Sequence, residues 1–321
     1  MKKWISRALE EKLLNRLQTY PIVALLGSRQ VGKTTLAYQL KGKIKAQQLH
    51  YLDLESEEDL MKLSEPADYL ERYKDYLVII DEVQRKPEIF KSLRVLIDAR
   101  IRAGQEYGQF LLLGSASRDL VQHSSETLAG RISYLELPPF LITEVEQAEH
   151  PKTIEKLWFR GGYPKSFLAP SNEASWNWRS DFIDTYLERD IPRMGPNLPA
   201  QAMKRLWTML SHTSGQQISL SVLGKNLGVS HTTVRTYLDT LQDFYMLREL
   251  KPWSGNIKSR LVKTPKVYVR DSGLLHRLLG ISSIDYLFGH PAVGGSWEGF
   301  VVENIMNHLS SYWHASFFRN S

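Results

Sequence analysis

The segment Gly27-Ser28-Arg29-Gln30-Val31-Gly32-Lys33-Thr34 follows the pattern G-x-x-x-x-G-K-[ST] without a departure. Its glycines let the backbone turn tightly, so that successive N–H groups cradle phosphate oxygens. A helix that begins at the lysine points its positive end at the same anion. Lys33 would reach the β- and γ-phosphates as a point charge, and the Thr34 hydroxyl would hold Mg²⁺. Such a match also arises by chance, so its neighbours decide its meaning. Ile22-Val23-Ala24-Leu25-Leu26 before it is a continuous apolar run, as in a strand buried on both faces, and the residues after it read as a helix to Leu40.

A second chemical element is Leu77-Val78-Ile79-Ile80-Asp81-Glu82, an apolar strand closed by two acids. At the strand's C-terminal end Asp81 would support the Mg²⁺ shell, and Glu82 would polarise an attacking water as general base. An acidic pair after a strand can also be a helix N-cap. The phosphate-binding pattern upstream favours the chemical reading, with ATP and Mg²⁺ as the ligands.

These elements need a sheet to hold them. Strands are expected at Ile22–Leu26, His50–Leu54, Tyr76–Ile80, Phe110–Leu113 and Ser133–Leu137, with helices between them, which argues for a parallel α/β sheet. An amphipathic helix is expected over 5–19, and further helices over Trp176–Arg193 and Ala200–Ser211. Gly161-Gly162-Tyr163-Pro164 reads as turn material. The chain has 321 residues, 42% hydrophobic and 24% charged, enough for two or three domains of ordinary globular composition. No apolar run approaches the ~20 residues that span a bilayer. Lys2 and Lys3 are soon succeeded by the charged Arg7, Glu10 and Glu11, so no signal-peptide core forms. The absence of cysteine excludes disulfides and thiolate chemistry. A cytoplasmic protein is the expectation.

As an ordered set, these residues resemble the bacterial and archaeal AAA+ ATPases whose C-terminal part is labelled domain of unknown function 4143. The resemblance rests on Gly27 to Thr34 extended by Thr35, on Ile80-Asp81-Glu82-Val83-Gln84, on Gly114-Ser115-Ala116-Ser117 and on Leu128-Ala129-Gly130-Arg131. Gly161-Gly162-Tyr163-Pro164 and Tyr186-Leu187-Glu188-Arg189-Asp190-Ile191 complete it, so that it spans essentially the whole chain. It implies an α/β fold: a P-loop AAA+ core with a parallel sheet over residues 1–150, a helical lid over 151–200, a winged helix over 201–270, and the start of a restriction-endonuclease-like module over 271–321. It places the sensor-1 group at Ser115 in preference to Ser117. It also places at Arg131 an arginine finger that acts across a subunit interface, implying a homo-oligomer; the alternative for Arg131 is a cation at a helix C-terminus. Glu298 would be the acid of a nuclease-like helix. The Asp and the E-x-K strand that a nuclease needs do not come after it, so 297–309 reads as an amphipathic core helix.

The net charge of +6 is unevenly distributed. Residues 201–270 carry eleven Lys and Arg against three acids, which suggests a polyanionic partner or a well-solvated face. A helix-turn-helix is expected over 218–241, with Gly228-Val229-Ser230 as its turn and Val234, Leu238 and Leu241 as its buried stripe. His231, Thr232, Thr233, Arg235 and Thr236 are left for the outer face. A β-rich wing comes next, carrying Lys251, Lys258, Arg260, Lys263 and Lys266 without an acid from Lys251 to Lys266. The DNA reading sets that helix in a groove and the wing cations on phosphates, recognising shape and backbone rather than sequence. The leading expectation is an ATP-driven DNA-remodelling enzyme, a helicase or branch-migration motor on junction DNA. Its alternatives are a nucleotide-controlled signalling or defence switch with a protein partner, and a DNA-binding regulator with residual ATPase activity.

Overall fold

Three apolar runs in the first half of the chain leave no position for a polar side chain, and each becomes an interior strand of one parallel sheet. In the computed structural model, which describes residues 4–44, 48–115, 124, 126–147, 153–194, 198–253, 264–309 and 312–318, β1 (Ile22–Leu26) and β4 (Phe110–Gly114) are buried throughout, and β3 (Tyr76–Asp81) from its second residue on. β2 (Gln48–Asp53) and β5 (Ile132–Glu136) carry partly exposed residues and form the edges. The order is β2-β3-β4-β1-β5, with every pair parallel. Strands covered on both faces must be apolar at every position, whereas edge strands need not be. The two edge strands accordingly begin one or two residues earlier than their composition suggests.

The chain divides into two units, Met1–Pro138 and Pro139–Ser321. In the first, helices α1 (Leu9–Leu17), α2 (Lys33–Gln39), α3 (Glu57–Lys62), α4 (Pro66–Glu71) and α5 (Ile89–Arg102) accompany the sheet. α5 shows how such a helix is specified: Ile89, Phe90, Leu93, Leu96, Ile97 and Arg100 lie on one buried stripe. The Arg100 guanidinium survives there by donating to the Leu70 carbonyl at 2.7 Å.

The second unit is mainly helical. Helix Asn172–Thr185 starts at Ser171, whose hydroxyl accepts from Ala174 N, and runs on through a π-helical turn, Tyr186–Asp190, into Ile191–Met194. That turn is the Tyr186-to-Ile191 motif; it buries Tyr186, Leu187 and Asp190, and the Tyr186 hydroxyl donates to the Phe244 carbonyl at 2.8 Å. Helices Leu220–Leu227 and His231–Asp243 are capped by Ser219 and Ser230 and joined through Gly228 at φ 70°. Val234, Leu238 and Leu241 are fully buried, as the sequence pattern requires. A small antiparallel sheet has the order β6-β8-β7, formed by Gln216–Gln217, Lys266–Val269 and Leu247–Leu250. The helix expected over 297–309 spans Val293–His308. Among the described residues, no helix is long and apolar enough to cross a membrane.

The Gly161-Gly162 motif proves to be a packing joint. The buried Asp271 carboxylate accepts from Gly162 N and Leu274 N, each at 2.8 Å. Burial still pushes its carboxyl up to about 6, against those two amides and Arg179. Arg179 donates to the Gly273 carbonyl at 2.8 Å and to the Phe159 carbonyl at 3.3 Å. Gly273 is pressed so closely on this turn that a Cβ would lie 2.1 Å from the Arg160 carbonyl oxygen. Backbone cannot move aside as a flexible side chain can. Gly273→Ala is therefore expected to destabilise the protein by about 1–3 kcal/mol, read as a lower urea midpoint; an unchanged midpoint would contradict this packing.

Candidate functional site

All five strands point the same way, so the loops that leave β1, β3 and β4 emerge on one edge of the sheet. β4 lies between the other two, which sets the chemistry-bearing ends of β1 and β3 on either side of it. The loop after β1 is Gly27 to Gly32. Gly27 has φ 150°, and a Cβ there would lie 2.4 Å from the Leu137 carbonyl oxygen; Gly32, at φ 101°, precedes α2. Both positions need glycine. Gln30 takes the left-handed conformation at φ 64° despite its side chain, a strain of about 1 kcal/mol or more. Ser28 and Val31 are buried, while Arg29 reaches out to Glu55 at 3.2 Å.

Lys33 is buried, and its ammonium donates to the carbonyls of Gly27 at 2.8 Å and Ser28 at 3.0 Å. Burial draws its pKa down, while Glu82 and Asp81 pull it back up. The next residue ties the loop to β3: Thr34 Oγ1 donates to Asp81 Oδ2 at 2.7 Å. Thr35, half-buried, continues α2. A hydroxyl beside a carboxylate is a hard-oxygen donor set suited to Mg²⁺. A glycine-built loop with a buried ammonium suits a polyphosphate. The residues present therefore fit both ligands that the sequence suggests.

Glu82 comes next at φ 53°, ψ 42°, a left-handed conformation that turns the chain sharply after the strand. Its backbone N–H donates to Asp81 Oδ1 at 2.9 Å. Its carboxylate Oε2 accepts from Gln84 Nε2 and, at 3.2 Å, from Ser115 Oγ, and these two groups lie 3.1 Å apart. Burial pushes the Glu82 carboxyl above the usual range; Lys33 opposes this and Asp81 reinforces it. Ser115, the residue expected at the end of the fourth strand, thus meets Glu82 directly; Ser117 lies outside the described residues.

Sequence reasoning gave no role to three contributors. Gln84 sits beside the acids but carries no charge to mark it. Tyr51, which reads merely as a strand residue, donates from its hydroxyl to Asp81 Oδ2 at 2.7 Å. Arg7, near the N-terminus, is buried and donates to the Val31 carbonyl at 2.9 Å and to the Pro138 carbonyl. No local signal identifies a partner 24 or 131 residues away.

Arg131 stands elsewhere. Its carbonyl accepts from Ile22 N, at the start of β1, and its side chain pairs with Asp98 of α5 at 2.6 Å. β1 rises ~16 Å between that level and the phosphate loop, beyond an arginine's reach. Arg131 is therefore not part of this phosphate site.

In the second unit, His231 and Thr232 are exposed at the start of their helix, and Thr233 is half-buried against Ser230. His231 lines an open groove of about 620 Å³ together with Gln217, Ser219, Arg235 and Glu249. Arg235 is held by Asp239 at 2.9 Å and Glu249 at 2.6 Å. Lys266 pairs with Glu298 at 2.8 Å, which also accepts from Tyr268. Glu303, buried, pairs with both Arg248 and Arg270. Three of the eleven cations of 201–270, Arg248, Lys266 and Arg270, thus meet acids from beyond residue 270. Lys251 is exposed; Lys258, Arg260 and Lys263 lie outside the described residues.

Comparison with known proteins matches two successive parts of the chain. Residues 19–146 match the family model described as AAA domain, and residues 151–285 the model described as domain of unknown function DUF8612. The second match corrects the expected label 4143. The motifs behind that expectation lie mostly before residue 165 and say little about the C-terminal part. An uncharacterized protein of Mycobacterium tuberculosis is 45% identical over 92% of this chain and 64% of its own length. One of Haemophilus influenzae is 23% identical over 86% of this chain and 74% of its own. This chain thus spans 64% of the length of its Mycobacterium relatives. Among solved structures, the Walker-type ATPase of Pyrococcus abyssi superposes with a TM-score of 0.61 at 15% identity, over 86% of this chain and 96% of that one. The α/β core has the fold of a P-loop ATPase of AAA type, and the AAA match supports an ATPase.

The Glu82 environment makes a stability prediction. A carboxyl with a folded pKa above its unfolded value of 4.5 adds stability fully below that value and loses it as pH rises through the folded pKa. Ionised Glu82 therefore opposes folding at neutral pH. Glu82→Gln should melt at or above the wild-type temperature at pH 7, with the difference shrinking at pH 4. A variant less stable at pH 7 than at pH 4, relative to wild type, would mean that the charge stabilises the fold.

Proposed function

We propose that this chain binds ATP at Gly27 to Thr35 and hydrolyses it with Mg²⁺. The observation that carries this reading is the 2.7 Å bond between Thr34 Oγ1 and Asp81 Oδ2, with Glu82 next in the chain. Lys33 and the loop's N–H groups would hold the β- and γ-phosphates, and Thr34 and Asp81 would hold Mg²⁺, which supplies charge neutralisation for phosphoryl transfer. Glu82 orients and polarises the attacking water; its raised pKa makes it a stronger base than an exposed carboxylate. Ser115 and Gln84 set the direction of that carboxylate. Arg131, remote from its own phosphate loop, acts on a neighbouring subunit's nucleotide in a homo-oligomer. That role requires the Asp98 pair to open.

The work driven by hydrolysis is remodelling of DNA, recognised by shape and backbone. Three features support this. Of two capped helices the second turns His231, Thr232 and Thr236 outward, the strands Leu247–Leu250 and Lys266–Val269 come after them, and the run from Lys251 to Lys266 is basic and free of acids. A second reading, a nucleotide-controlled switch facing a protein, is favoured by a specific observation: Arg235, Arg248, Lys266 and Arg270 are already engaged by Asp239, Glu249, Glu298 and Glu303.

Lys33→Ala should abolish ATP binding. Glu82→Gln should bind ATP yet hydrolyse it ~10²–10⁴-fold more slowly, measured as single-turnover phosphate release; undiminished turnover would remove Glu82 as the base. Steady-state hydrolysis should rise several-fold with one DNA structure among single strand, duplex, fork and four-way junction. Indifference to all of them would move the proposal to the protein-facing switch.

A further inference from the structure

Asp81 is held from three sides, and one of its partners has no place in the chemistry so far. Oδ1 accepts the Glu82 N–H at 2.9 Å, while Oδ2 accepts two hydroxyls at 2.7 Å each, from Thr34 and from Tyr51. We infer that Tyr51 is a positioning residue for the metal site, holding the Asp81 carboxylate in the orientation that serves Mg²⁺ together with Thr34. The inference rests on the ATPase reading above.

The fold explains how Tyr51 arrives there. In the β2–β3 register Tyr51 stands opposite Ile79, two residues before Asp81, so its ring must run along the sheet toward the strand ends to place the hydroxyl on Oδ2. Tyr38 of α2 packs on that ring, with centroids 4.9 Å apart and planes 31° apart. The phenol is thereby wedged between the helix that begins at Lys33 and the strand that ends at Asp81. A carboxylate has about four lone-pair sites. With two filled at Oδ2 and one at Oδ1, rotation about the Asp81 side chain would break three hydrogen bonds at once. Thr34 alone would leave the carboxylate freer to turn, because its own hydroxyl must also serve the metal. Outer partners of metal-binding groups commonly change metal affinity 10–100-fold when removed.

Tyr51→Phe removes one oxygen and keeps the ring contact with Tyr38, so it isolates the hydroxyl. The test is equilibrium binding of a fluorescent ATP analogue to the full chain, in excess EDTA and in millimolar Mg²⁺, with wild type and Lys33→Ala alongside. Metal-free affinity, set by Lys33 and the loop amides, is expected to stay at the wild-type value, while affinity in Mg²⁺ falls by about tenfold. The Mg²⁺ concentration for half-maximal hydrolysis should rise in parallel, with the rate at saturating metal largely retained. Equal affinities for wild type and Tyr51→Phe in both conditions would overturn the assignment. An equal loss in both conditions would also overturn it and make Tyr51 a structural residue. If wild type binds no better than Lys33→Ala, the ATPase reading itself falls, and this inference falls with it.

Discussion

A sheet whose strands all run one way must release every strand-end loop on the same edge, and the candidate site arises from that constraint. The strand order does the rest. With β4 between β1 and β3, the phosphate loop and the acidic pair approach from either side of Ser115. Residues 27–34, 81–82 and 115 are far apart in sequence, yet the Thr34–Asp81 bond and the Ser115–Glu82 contact close them into one cluster. No element has to bend specially for this; three strands need to end at similar heights, and their register ensures that they do.

The cluster is held at a local cost in backbone and charge. Gln30 and Glu82 occupy left-handed conformations without being glycine, and Lys33 and Asp81 are buried ions. The last three are held by their surroundings: carbonyls around the Lys33 ammonium, three donors around Asp81, and Gln84 with Ser115 around Glu82. Strain and buried charge concentrated where chemistry is expected are common signs of a functional site. Similar burial in the second unit has another meaning. Arg179, Asp271 and His276 are as deeply enclosed, but their partners are mainly backbone groups of neighbouring turns, and they lock a joint rather than face a ligand.

Charge in the second unit shows how far composition can mislead. Eleven cations against three acids over 201–270 look like a polyanion-binding face when counted along the chain. In three dimensions Glu298 and Glu303, from the helix Val293–His308, return to meet Lys266, Arg248 and Arg270. Glu298, which the resemblance would make the acid of a nuclease-like helix and which the sequence reads instead as part of a core helix, pairs with Lys266. The field available to a polyanion comes from the cations left over, such as Lys251, and not from the raw excess.

By itself the sequence determined whatever depends on neighbours along the chain. The interior strands were legible because double-sided burial demands an unbroken apolar run. The phosphate loop was legible because its turn demands glycine at 27 and 32, and the Gly228-Val229-Ser230 turn marked off two helices because serine and glycine favour helix ends. Tertiary structure decided what depends on distant partners. Tyr51 could become a ligand-orienting group only once β2 lay beside β3, and Arg7 only once the chain had returned to Pro138. Arg131 and Arg235 had the right type for a finger and a DNA contact, but whether a guanidinium faces a ligand or a carboxylate is set by which acids folding brings within reach. A local pattern fixes a backbone path, because a residue's conformation is decided within a few positions. The partner of a long charged side chain is fixed by the packing of whole elements.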